Sequence, residues 1–113
     1  MFASVFMGHL VGDYLLQNDW LAKNKKTSSF ACFLHCWIYT LTVGIFAWGS
    51  LGTYSLCIIL ATHFLIDRGV WLKTVLRVTG KKAFLEPPMF PWSYIIVDNI
   101  LHLLVLYFLV LSV

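Results

Sequence analysis

Charge is what this sequence has least of. Only 12% of its 113 residues are charged and 60% are hydrophobic, whereas soluble domains run at about 25% charged and 45–50% apolar. A chain this short has too much surface for its volume to hide so much apolar side chain from water. A soluble globular domain is excluded, and the expected solvent is lipid. Length allows one domain at most. Cysteine is scarce and odd in number: Cys32, Cys36 and Cys57 all fall in apolar runs, which argues against a disulfide framework. Proline is confined to Pro87, Pro88 and Pro91, where it enforces extended or turn geometry. The first apolar run lacks a basic leader and carries His9 and Asp13 within it. It is read as a retained helix, not a cleaved signal peptide.

Lysine and arginine are missing from every long apolar run. All eight lie in two stretches, Lys23, Lys25 and Lys26, then Arg68, Lys73, Arg77, Lys81 and Lys82. Between and around them stand four apolar segments, about 1–17, 30–48, 53–67 and 94–113, each near the ~20 residues that cross a bilayer core. Spanning segments must be helical, because lipid offers no partner to an open strand edge. The expected fold is therefore all-α, a polytopic membrane protein with a four-transmembrane-helix bundle. The Gly49–Gly52 turn carries no basic residue, so the positive-inside rule puts both basic loops in the cytoplasm and both termini outside. Trp20, Trp71 and Trp92 suit an aromatic belt on the cytoplasmic side and Trp48 the opposite one. In the second loop, about 69–79, Val70 to Val78 mixes apolar residues with Lys73, Thr74 and Arg77 at roughly helical spacing. That pattern predicts an amphipathic helix at the interface. Topology accounts for most of the net charge of +3. A secondary role in gripping anionic lipid headgroups is open to the basic loops, while no motif points to a nucleic-acid partner.

The polar residues that remain inside the apolar runs are almost all histidine and aspartate. His9, His35, His63 and His102 fall one to a segment, and Asp13, Asp67 and Asp98 lie in or at the edge of segments. His9/Asp13, His63/Asp67 and Asp98/His102 are each four apart, so each pair projects from one helix face. With the expected topology the carboxylate of every pair lies nearer the cytoplasm and the imidazole deeper. Three lipid-facing aspartates would cost on the order of 5–10 kcal/mol, so they must face a bundle interior where something offsets their charge. Arg68, next to Asp67, is the nearest cation in sequence. Imidazole with carboxylate suits a divalent metal ion (Zn, Mn, Fe or Co), and facing bundle helices converge such ligands. His9, Asp13, His35, His63, Asp98 and His102 are the candidate ligands, in one mononuclear site or a two-metal site. Cys32 and Cys36 flank His35, as small packing residues or as one thiolate ligand.

"GHLVGDYLLQNDWLAKNK", "FLHCWIYTL", "HFLIDR" and "DNILHLL" together resemble a family of small bacterial and phage integral membrane proteins of unknown function. The resemblance covers essentially the whole chain. It implies motif positions at His9, Asp13, Gln17, Lys23 or Lys26, His35, His63, Asp67, Asp98 and His102, with Asn99 where the family favours Gln. The HxxxD pairs are also similar to those of inner-membrane metal-dependent hydrolases.

Three function classes follow. The first is a metal-dependent hydrolase acting on a membrane-associated substrate, with Asp67 as candidate general base and Arg68 holding an anionic leaving group. The second is a conduit in which the same groups pass protons or a metal ion. The third is a structural or accessory subunit of a membrane complex. Four helices of this size enclose little, so a homo-oligomer or larger complex is expected. The expected location is the cytoplasmic membrane of a bacterium or of a phage-infected host.

Overall fold

The computed structural model describes residues 1–69 and 71–113; Val70, the first residue of the expected amphipathic stretch, lies outside the described residues. The chain is all-helical, with 78% helix and, among the described residues, no strand. Helix α1 covers Phe2–Leu10 and continues through a π-helical turn, Val11–Leu15. The short α2 (Asp19–Asn24) follows, then α3 (Ser29–Phe46), α4 (Thr53–Arg68), α5 (Trp71–Val78), a 3₁₀ turn at Lys82–Leu85 and α6 (Trp92–Ser112).

Local chemistry sets several of these boundaries. The Asn18 side chain accepts a hydrogen bond from the Leu21 N–H at 2.8 Å, and the Ser28 hydroxyl accepts one from the Ala31 N–H at 3.2 Å. Each satisfies an orphan donor at the start of a helix, in α2 and α3 respectively. After α3, Gly49 turns the chain at φ 78°, a conformation that a side chain would oppose. Gly80 does the same after α5 at φ 82°.

The four longest helical segments form a ring in which α1 packs on α3, α3 on α4, α4 on α6 and α6 back on α1. The α1–α3 seam is the tightest. A Cβ on Gly8 would stand 2.9 Å from the Val43 Cα, and one on Gly12 would stand 3.0 Å from the Tyr39 ring. Glycines four apart, one on α1 and one on the π-helical turn, thus let two backbones approach, a device also found between membrane helices. Val5, Tyr39, Val43, Ala47, Ile59 and Leu106 fill the ring at the Gly49 end. At the basic end α5 lays Leu72 and Leu76 against Tyr94 of α6.

The distribution of polarity is inverted relative to a soluble bundle. His9, His35 and Asp67 are fully buried, while Phe30, Leu41, Ile45, Leu104, Phe108 and Leu111 are exposed. Among the described residues, two helices, α3 and α6, are long and apolar enough to cross a membrane by themselves. The other two segments expected to span are shorter as helices. Residues 2–15 rise roughly 21 Å and α4 roughly 24 Å at 1.5 Å per residue, against a core of about 30 Å. Four clear spans are therefore not what the helix lengths give.

Candidate metal centre

The histidines and aspartates meet inside the ring. Asp13 comes from the π-helical turn that ends α1, His35 from the second turn of α3, His63 and Asp67 from the last turns of α4, and Asp98 and His102 from the first half of α6. A π turn widens the helix by one residue and is often found at functional sites. Here it carries Asp13 at the α1–α3 seam.

The shortest contacts run between helices. His35 Nε2 lies 3.0 Å from Asp13 Oδ1 and 3.0 Å from Asp67 Oδ2. His63 Nε2 lies 3.0 Å from His35 Nε2, 3.1 Å from Asp67 Oδ2 and 3.4 Å from Asp13 Oδ1. Across the ring, His102 Nε2 lies 3.0 Å from Asp67 Oδ1, and within α6 it lies 3.4 Å from Asp98 Oδ2. The pairs read from sequence lie within reach of each other, but His9 Nδ1 and Asp13 Oδ2 are 3.8 Å apart, longer than any of these cross-helix contacts.

Two sets of donor atoms result. One atom each from Asp13, His35, His63 and Asp67 lies within 4.8 Å of all the others, and so does one atom each from Asp67, Asp98 and His102. All four residues of the first set are buried. Tetrahedral coordination at about 2.0–2.2 Å places neighbouring ligand atoms roughly 3.3–3.6 Å apart, so contacts of 3.0 to 3.4 Å need small outward adjustments to hold an ion. The nitrogens of His35 and His63 that face away, both Nδ1, find no partner among the described residues. Both rings therefore direct their polar contacts to the centre through Nε2. The two imidazole nitrogens stand 3.0 Å apart, each also against carboxylate oxygen, an arrangement that could hold a metal ion. The donor chemistry fits a divalent ion.

His9 stands beside these sets and not within them. Its Nδ1 is 2.7 Å from the Tyr39 hydroxyl, and its Nε2 is hydrogen-bonded to the Asn99 side-chain oxygen. Asn99 also accepts from the Tyr14 hydroxyl at 3.2 Å. Tyr39 stacks on His63 with ring centroids 3.8 Å apart, so it holds two of the imidazoles from one position on α3. Sequence reasoning passed over Tyr39, although it stands one helical turn from His35 on the same helix face.

The cation against the cluster is Lys25, whose Nζ donates to Asp67 Oδ2 at 3.4 Å. Burial by itself would lower the Lys25 pKa, but Asp67 first and then Asp13 and Asp98 draw it above the ordinary lysine value. Lys26 has its pKa lowered by burial, and its ammonium donates to the Tyr94 hydroxyl at 3.2 Å. Arg68, the neighbour expected from sequence, donates instead to the Lys26 carbonyl. Adjacent helical residues point about 100° apart, so Arg68 cannot share the direction of Asp67. Asp67, the expected general base, is fully enclosed, with Asp13 and Asp98 the less buried carboxylates. Cys32 and Cys36 lie 4.0 Å apart and belong to neither donor set, and Cys32 donates to the Phe64 carbonyl at 3.9 Å.

A family model described as "Protein of unknown function (DUF3307)" matches residues 1–113. The chain belongs to the DUF3307 family. No curated protein and no solved structure matches it. The match spans every residue of the helix ring and of the His/Asp cluster.

Proposed function

We propose that this DUF3307 chain is a four-crossing membrane protein holding a divalent metal ion near its cytoplasmic face, and that the centre hydrolyses a membrane-delivered substrate. The observation that carries this reading is the convergence of Asp13, His35, His63 and Asp67 from three helices, buried, with His35 and His63 at 3.0 to 3.4 Å from the two carboxylates and from each other. Asp13, Asp67 and Asp98 set against Lys25 leave a formal charge of −2 when the imidazoles are neutral, since three negative groups face one positive. One divalent cation offsets that charge. Zn, Mn, Fe and Co all suit such ligands, and the bound ion supplies a Lewis acid at neutral pH.

The protein's own groups have definable tasks. His35 and His63 present Nε2, and Asp13 and Asp67 present carboxylate oxygen. Both Asp67 oxygens face imidazoles, which suits a holding role better than the general-base role expected from sequence. Tyr39 and Asn99 orient His9 beside the centre. Lys25 balances Asp67 from the first basic loop, beside Lys26, and Arg68 at the end of α4 bonds to the Lys26 carbonyl, so an anionic group entering from that side meets three cations.

The membrane reading rests on the inverted polarity, the two long apolar helices and the restriction of all Lys and Arg to two stretches, 23–26 and 68–82. The shorter α1 and α4 cross if the bilayer thins around them, at a cost of fractions of a kcal/mol per Å. A conduit needs polar groups along the whole ring, but the Gly49 end is filled by Val5, Val43, Ala47, Ile59 and Leu106. Access from one side favours an enzyme.

Elemental analysis of the detergent-purified protein tests the reading, beside the variants His63→Ala and Asp13→Asn. Stoichiometric metal in the parent chain, lost in both variants, is expected. A parent chain that takes up no divalent metal on reconstitution would refute the centre.

A further inference from the structure

Asp67 offers one carboxylate oxygen to each of two neighbouring donor groups. Its Oδ2 faces His35 and His63 at 3.0 and 3.1 Å, and its Oδ1 faces His102 at 3.0 Å. On the Oδ1 side Asp98 Oδ2 stands 3.4 Å from His102 Nε2. The other Asp98 oxygen is buried and has no hydrogen-bond partner among the described residues. We propose that the centre is dinuclear, with a second divalent ion seated between Asp98, His102 and Asp67 and with Asp67 bridging the two positions.

This inference rests on the metal reading above and adds a separate site to it. The two positions are neighbours: the His63 and His102 rings stack with centroids 4.0 Å apart, so their Nε2 atoms serve opposite oxygens of one carboxylate. Two-metal hydrolytic sites hold their ions about 3.5–4 Å apart, a spacing that one bridging carboxylate spans. Their ligand numbers differ. The first position draws on two imidazoles and two carboxylates, the second on one imidazole and two carboxylates, with Asp67 counted in both. The first ion also neutralises the formal charge of −2, so the second enters a site without that attraction. Binding is therefore sequential, tight and then weaker, and the second position keeps more coordination sites free for a reacting group.

Manganese(II) titration of the detergent-purified chain tests this, read by elemental analysis and by electron paramagnetic resonance at low temperature. The expected result is two Mn(II) per chain at saturation with a spin-coupled signal that appears only as the second ion binds. The near-isosteric Asp98→Asn and, independently, His102→Ala should each saturate at one ion with an isolated six-line signal, while eluting as the parent protein does on gel filtration. Saturation of the parent chain at one ion, with an isolated signal lost in His35→Ala, would overturn the second position and leave the first standing. No bound Mn(II) in the parent chain would overturn both.

Discussion

At the scale of single residues, the centre depends on side chains that touch one another and not only on those that repeat in sequence. Tyr39 is the sharpest instance, since its hydroxyl meets His9 and its ring covers His63. Tyr39→Phe keeps the ring and removes the hydroxyl, leaving a buried His9 nitrogen short of a partner, so a loss of about 1–3 kcal/mol is expected. Thermal unfolding in detergent should show that loss while metal content stays at the parent value. A fall in metal content would mean that Tyr39 belongs to the coordination shell. Asp67→Asn, by contrast, should abolish metal binding at every position, because its two oxygens serve both donor sets. The histidines and aspartates were legible in the sequence because charge and imidazole are costly in an apolar run. Tyr39 and Lys25 were not, and Asn99 entered only as a motif position without a contact. A tyrosine within an apolar helix is ordinary, and a lysine in a basic loop is already explained by topology. The packing of α1 against α3 and α6, and of the first loop over Asp67, brings them to the cluster.

Among the helices, the all-α class followed from composition, and helices do lie over the apolar runs: 2–15, Ser29–Phe46, Thr53–Arg68 and Trp92–Ser112. The π-helical turn at Val11–Leu15 had no such signal, since a periodicity of apolar residues does not distinguish one inserted residue. Helix order around the ring was likewise hidden, because it depends on which faces accept close approach. Gly8 decides one of those faces. Gly8→Val should push α1 off α3, because even a Cβ would meet the Val43 backbone at 2.9 Å, and overpacking of this kind typically costs about 1–3 kcal/mol. The check is a lower unfolding temperature together with weakened metal retention, since Asp13 rides on the same segment. Unchanged stability would show that the α1–α3 seam is looser than described. Ser28→Ala removes the cap of α3 and should cost about 1 kcal/mol without moving His35, a change visible in unfolding and absent from metal content.

For the whole molecule, the question is how many times the chain crosses the bilayer. Helix length singles out α3 and α6, and the charge distribution asks for four crossings. The two accounts part at the second basic loop. If α4 crosses, Lys82 lies on the same side as Lys23; if it does not, Lys82 lies on the side of Gly49. In a chain with its native cysteines replaced by alanine, Lys82→Cys should resist a membrane-impermeant maleimide applied from outside and react after permeabilisation, whereas Ser50→Cys should react at once. Labelling of both from outside would remove α4 as a span. The same arrangement sets the direction of access to the His/Asp cluster, because the apolar packing of Val5, Val43 and Leu106 closes the Gly49 end.

The central claim, that this buried cluster is a metal centre built from nitrogen and oxygen ligands, is tested most directly by X-ray absorption at the edge of whichever divalent metal co-purifies. The account predicts a first shell of N and O at about 2.0–2.2 Å with the multiple-scattering pattern of imidazole, and no sulfur, because Cys32 and Cys36 face each other and the Phe64 carbonyl. A shell containing sulfur at about 2.3 Å, or one without imidazole scattering, would contradict it.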